Sequence, residues 1–270
     1  MEIKTIWLEE TRVKTYETDF QMKWKPGSFF QVMLDAATNH AMHLGFGYHT
    51  LMERNMAWIL SRIKIVFHDY PSIGESVTVQ TWPKHIQQKL FFVRDFRLFG
   101  PEGKHLASAS AAWLLIDYQE RRMLLPAALP GSLPATPGMS ALDEPLEKIA
   151  PPRTSTSGVF RPRTSTSGMF RAKEMTERLR IQPGYSSVDV LGHVNSTRYL
   201  EWICDCFSMD EHRCKTLEWV QINYSNEVLP GEQVSVAMGQ QEGSPGLWLV
   251  EGSNLTTGMK AFEAAARWRG

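Results

Sequence analysis

The sequence predicts an α+β protein of two tandem domains, each a long helix wrapped by a curved antiparallel sheet. Three observations predict it. First, Ile63–Val79 (IKIVFHDYPSIGESVTV) and Val220–Val236 (VQINYSNEVLPGEQVSV) align without a gap at an offset of 157, sharing Ile65/Ile222, Gly74/Gly231, Glu75/Glu232, Val77/Val234 and Val79/Val236. That period is too long for a solenoid, so each copy is a whole domain. Second, each copy sets one amphipathic helix ahead of four segments of alternating character. Third, a stretch rich in Pro, Ser, Thr and Gly divides the copies.

In chain order, residues 1–125 form the N-terminal domain. A polar turn leads into a helix over Gly27–Leu44, and strands are expected over Trp58–His68, Glu75–Trp82, Leu90–Leu98 and His105–Tyr118. Residues 126–175 read as linker. They contain a repeated decapeptide, PRTSTSGVFR at 152–161 and PRTSTSGMFR at 162–171, which differs only at Val159 and Met169. Such a duplication is tolerated best in a solvated connector. Residues 176–270 repeat the first domain, with a helix over Val194–Met209 and strands over Leu217–Glu227, Gln233–Met238, Leu247–Asn254 and Met259–Trp268.

Composition excludes several classes of function. Of 270 residues, 43% are apolar and 21% charged, and 29 basic residues balance 29 acidic ones. A neutral chain argues against nucleic acid or a membrane surface as the partner. No apolar run of spanning length exists, and the opening MEIKTIWLEETR is too charged for a signal peptide, so a cytoplasmic protein is expected. Cys204, Cys206 and Cys214 lack metal-ligand spacing, and neither a metal nor another cofactor is implied. Nine Trp and thirteen Met point to something large and apolar that is packed or bound.

The chemistry concentrates in Ser187–Trp202, SVDVLGHVNSTRYLEW. Asp189, Gly192, His193 and Asn195 fall just ahead of a helix. Gly192 permits a tight turn. The first free backbone donors of the helix, near His193–Ser196 and with them Gly192 and Val194, lie at the positive end of its dipole, where they polarise a carbonyl or hold an oxyanion. Asn195 serves either there or as a helix cap. Sliding the first copy by 170 places Asp19 on Asp189, Lys23 on His193, Lys25 on Asn195 and Phe29 on Tyr199. Likewise, Glu227 falls opposite Tyr70 at the offset of 157. The imidazole, the amide and the carboxylate are therefore confined to the second half, and the two copies have divided their roles.

Through DVLGHVN and the aromatic-rich helix after it, the chain resembles the hot-dog-fold thioesterases. Through KTYETDF, LDAATNHAMHLGFG, NMAWILSRIKIVFHDYPSIGESVTVQTW and SASAAWLLIDYQERR it resembles the acyl-ACP thioesterases of bacteria and plants. The resemblance covers nearly the whole chain except the linker. It implies two fused hot-dog domains that hydrolyse the thioester between a fatty acyl chain and acyl carrier protein, a role in fatty acid biosynthesis. The family's Asp-x-Asn-x-His pattern lands on Asp189, Leu191 and His193, and its later Glu on Glu227. The Asn is missing at Leu191, and the Cys that follows the Glu in plant members is Val228 here.

On that resemblance, Glu227 is a general base for water or a direct nucleophile, His193 orients the water or the thioester, and Asp189 holds His193 or the loop. Backbone donors at Gly192 and Val194 survive the Leu191 change. Glu201, on the helix, is a second candidate acid, with an ion pair to Arg198 as its ordinary role. A dehydratase reading wants a proline-containing loop, which GHVNSTRY lacks. The first half is expected to hold the acyl chain through Met33, Ala37, Met42, Met56, Trp58 and Leu60.

From Arg153 to Arg180 seven cations face two acids. This basic segment, with Arg161, Arg163 and Arg171, is a candidate docking surface for the acidic carrier protein, and Lys23 and Lys25 form a second patch. An acyl-CoA thioesterase and a non-catalytic acyl-binding protein are the alternatives, the latter motivated by Leu191. A homodimer is left open.

Overall fold

A computed structural model describes residues 3–149 and 174–270. The chain divides into two compact units, residues 1–146 and 147–270. In the first unit the element order is β1 (Trp7–Arg12), α1 (Pro26–His43), α2 (Tyr48–Met52), β2 (Met56–Phe67), β3 (Ser76–Gln87), β4 (Phe91–Phe99), β5 (His105–Asp117) and β6 (Arg122–Leu124). The second unit contains β7 (Thr176–Ile181), α3 (Ser196–Asp205), α4 (Met209–Cys214), β8 (Thr216–Tyr224), β9 (Val234–Gln240), β10 (Leu247–Asn254) and β11 (Lys260–Arg269).

The two sheets are built alike. Antiparallel pairing in the first runs β1-β3-β4-β5-β2, with β6 added to the end of β5. In the second it runs β7-β9-β10-β11-β8, the same order element for element. Helix α1 starts with Pro26 at its first position, where a missing N–H costs nothing. Its buried face carries Phe29, Phe30, Met33, Ala36, Ala37 and His40, spaced three to four residues apart so that one stripe meets the sheet. Burying a large apolar side chain on that stripe stabilises the fold by roughly 1.5–3 kcal/mol. Each unit is a hot-dog domain, a helix embraced by an antiparallel sheet, and the α+β expectation holds.

Four differences from the sequence reading have physical causes. Strands β1 and β7 were not expected, because WLEETR and TERLRI alternate charges with few apolar residues, as edge strands do. The second helix stops at Asp205, and Ser208 opens α4 with a reciprocal capping box to Glu211. Strand β8 ends at Tyr224, which leaves Glu227 in the turn beyond it. The expected linker divides as well. Residues 126–146 belong to the first unit, whereas the decapeptides lie outside the described residues.

Polar anchors fix that first stretch to the outer face of the sheet. Thr136 Oγ1 donates to the Pro83 carbonyl at 2.7 Å, and Arg97 donates to that of Ser140 at 2.6 Å. Asp95, fully buried, accepts the Ala141 amide at 2.7 Å and pairs with Lys84 at 3.1 Å. On the other side of β4, buried Arg94 donates to His40 Nδ1 at 2.9 Å, so β4 is covered on both faces. No helix among the described residues is long and apolar enough to cross a membrane.

Candidate active site

The loop ahead of α3 is folded by its own backbone. The Asp189 amide donates to the His193 carbonyl at 2.9 Å, that of Gly192 to the Asp189 carbonyl at 3.0 Å, and that of Asn195 to the Ser187 carbonyl at 2.8 Å. Asp189 Oδ1 accepts the Leu191 amide at 2.9 Å. Gly192 takes a φ of +81°, the left-handed region that glycine enters without strain. The Val194 amide donates to the Val228 carbonyl at 2.8 Å, which ties the loop to the turn after β8.

The first domain carries the same loop. Asp19 Oδ1 accepts the Gln21 and Lys23 amides at 2.8 and 2.9 Å, Met22 takes the left-handed position, and the Trp24 amide donates to the Pro71 carbonyl at 2.9 Å. The loop frame is therefore a property of the repeated fold. Besides the projecting side chains, the halves differ in that Asp19 also accepts the Lys23 amide, whereas the matching His193 amide is not bonded to Asp189. Where Lys23 reaches the Tyr70 carbonyl at 3.4 Å, the second domain places His193 Nε2 against Glu227 Oε2 at 3.0 Å. The His193 side chain is 10% exposed and that of Glu227 43%, so a buried ring steadies a carboxylate that opens to the surface.

Asp189 closes the loop, as Asp19 does in the first half. Of the two functions the sequence leaves open for it, the geometry supports loop closure. The amides of Gly192 and Val194, expected as oxyanion donors, are already spent within the fold. Among the described residues the backbone N–H groups of His193 and Ser196 take no protein acceptor. Asn195 is the cap of α3: its Oδ1 accepts the Thr197 amide at 2.9 Å and the Thr197 hydroxyl at 2.8 Å. Leu191 is half-buried beside this loop and contributes no polar atom.

Glu201 pairs with Arg198 at 2.7 Å, and Arg198 also donates to the Ser186 carbonyl, so the ion-pair reading of Glu201 accounts for its place. Burial raises the thiol of Cys204 far above its ordinary value and that of Cys206 to about 12, as suits packing residues.

In the first domain, Met56 and Trp58 pack against the cluster of Phe46, Leu51, Phe92, Leu115 and Leu129. The Trp58 indole donates to the Phe46 carbonyl at 3.1 Å. Met33, Ala37 and Leu60 are buried outside that cluster. Met42 is 51% exposed near the end of α1, so it does not line the interior as expected. Arg161, Arg163 and Arg171 lie outside the described residues.

Two residues not singled out from the sequence belong to this site. Tyr199, on α3, is 2% exposed, and the Val228 amide lies against its phenol oxygen. Burial, with Asp189 and Glu227 nearby, raises its phenol above the ordinary range. Tyr224 donates its hydroxyl to the Ser196 carbonyl at 2.8 Å. The offsets that match the halves place Phe29 and Phe67 at these positions, which was the available signal.

A double hot-dog chain with a His–Glu pair joining the loop before α3 to the turn after β8 is the class that these features define. The chain belongs to the acyl-ACP thioesterase family: the family model for the N-terminal domain matches residues 4–125 and that for the C-terminal domain residues 170–270. A crystal structure of an acyl-ACP thioesterase from Bacteroides thetaiotaomicron superposes with a TM-score of 0.76 at 26% identity, covering 98% of both chains. The 12:0-ACP thioesterase from Umbellularia californica shares the fold, with a TM-score of 0.75 at 18% identity over 98% of this chain and 94% of that one. The chloroplastic palmitoyl-acyl carrier protein thioesterase of Arabidopsis thaliana is 23% identical over 82% of this chain and 52% of its own length. The chain thus spans about half the length of the plant relatives it matches.

Proposed function

We propose that this chain hydrolyses the thioester between a fatty acyl chain and acyl carrier protein, releasing the free acid and the carrier thiol. The observation that carries the reading is the His193–Glu227 contact at 3.0 Å in the second domain, where the first domain has Lys23 against the Tyr70 carbonyl. The buried imidazole donates from Nε2 to Glu227 and orients its carboxylate. The partly exposed carboxylate takes a proton from water as the water oxygen attacks the thioester carbon. The oxyanion is held by the backbone donors left over in this turn, those of His193 and Ser196, at the positive end of α3. When the tetrahedral intermediate collapses, the C–S bond breaks and the proton on Glu227 passes to the sulfur. In the first domain, Met56, Trp58 and the buried Met33, Ala37 and Leu60 would contact the hydrocarbon.

The test is release of free thiol from acyl-ACPs of graded chain length, with the same acyl groups on CoA in parallel. Turnover that favours the carrier-bound substrates supports the reading. Equal or greater turnover on CoA would make it an acyl-CoA thioesterase, and no release from either would make it an acyl-binding protein.

A further inference from the structure

The two domains carry a matching edge-to-face pair of rings between helix and strand, which differs in two hydroxyl groups. In the first, the rings of Phe29 and Phe67 meet edge to face, 5.2 Å apart at 89°. In the second, Tyr199 and Tyr224 meet 5.2 Å apart at 85°. Ring packing is thus reproduced almost unchanged, and two hydroxyl groups have been added to it. Folding does not require them, because the first domain builds the same contact from phenylalanine. A buried hydroxyl carries a desolvation cost that is offset only by what it bonds. Both hydroxyls are directed at the segments that carry the site.

Tyr224 bonds the carbonyl of Ser196, the first residue of α3, at 2.8 Å, and so joins the end of β8 to the turn that holds His193 and Asn195. Tyr199 faces the Val228 amide, next to Glu227 in the chain, and the carbonyl of Val228 receives the Val194 amide from the opposite side. In the first domain the ring beside Phe29 is Tyr70, with centroids 5.4 Å apart, and Tyr70 is the position that Glu227 occupies in the second. The two hydroxyls therefore bracket the His193–Glu227 pair from the helix side and from the turn side.

We infer that Tyr199 and Tyr224 are positioning residues, which hold Glu227 and the start of α3 in register with His193. Tyr224 does so through its hydroxyl bond to Ser196 and Tyr199 through a phenol placed beside the Val228 amide, two hydroxyl groups that the first domain lacks. This deepens the proposed hydrolysis and rests on it for its catalytic consequence. Geometry set by such bonds matters because a displacement of about 1 Å at a reacting group costs up to about 100-fold in rate.

The test compares wild type with Tyr199→Phe, Tyr224→Phe and the double variant in the full chain. Thermal unfolding should move by no more than about 5 °C, since phenylalanine is the native residue at both matching positions. With acyl-ACP as substrate, kcat should fall about tenfold or more in the double variant while KM stays within about twofold. Independently of activity, 15N NMR should show a slowly exchanging His193 Nε2 proton in wild type and its rapid exchange in the double variant.

Unfolding of either single variant, or unchanged exchange of that proton, would overturn the inference, even if kcat fell. If wild type hydrolysed no acyl-ACP, the proton-exchange comparison would still decide the positioning role, separately from the function.

Discussion

Asp189 Oδ1 accepts the Leu191 amide at 2.9 Å, and Asp19 Oδ1 accepts the Gln21 amide at 2.8 Å in the matching loop of the other domain. One carboxylate thus has an internal control elsewhere in the same molecule. Asp189→Ala and Asp19→Ala are each expected to lower stability by about 1–2 kcal/mol, the cost of an unsatisfied turn donor. Only Asp189→Ala should also lower turnover, because only its loop presents His193. Denaturant titration alongside thiol release checks both, and equal turnover in the two variants would remove Asp189 from the site.

Leu191 stands where the family pattern has an amide. Leu191→Asn is expected to raise kcat, by up to about 100-fold if one missing donor limits the rate. Steady-state kinetics on one acyl-ACP measures it. An unchanged kcat would mean that the His193 and Ser196 amides suffice to hold the carbonyl.

Much of this was legible from sequence, for identifiable reasons. The eight expected strands and α1 were visible because period-two alternation and a helical apolar stripe survive in a single chain. Glu227 and His193 stood out because their matched positions, Tyr70 and Lys23, differ in chemistry. Their contact was not legible, since nothing local brings a turn after β8 to a loop before α3. The spent amide of Val194 escaped for the same reason, as its acceptor lies in that distant turn, whereas that of Gly192 closes a local turn onto Asp189. The strap at 126–146 has the composition of a loop, yet Thr136, Ser140 and Ala141 meet partners on β3 and β4 that no local pattern announces.

That strap depends on a buried charge. Asp95 is inaccessible and is held by Lys84, by the Ser110 hydroxyl and by the Ala141 amide. Asp95→Ala leaves Lys84 without its acid and is expected to cost about 3–5 kcal/mol. A fall in urea midpoint, with faster proteolysis within 129–146, would register it. Unchanged proteolysis would show that Thr136 and Arg97 hold the strap unaided.

Stability should also depend on pH through His40. Burial, and then the charge of Arg94, lower its folded value to about 4 from 6.5. The unfolded chain therefore binds a proton that the folded chain refuses, so stability falls as pH drops from about 6.5 towards about 4. His40→Gln should flatten that part of the profile, as followed by Tm against pH. A profile unaltered by the substitution would contradict the assignment.

The most direct test of the central claim is single-turnover hydrolysis of acyl-ACP by wild type, Glu227→Ala and His193→Ala, with folding checked by thermal unfolding. Glu227 is partly exposed, so its removal should leave the fold intact. Wild type is expected to release the carrier thiol, and each variant to lose at least about 100-fold in rate. Full activity in Glu227→Ala would contradict it.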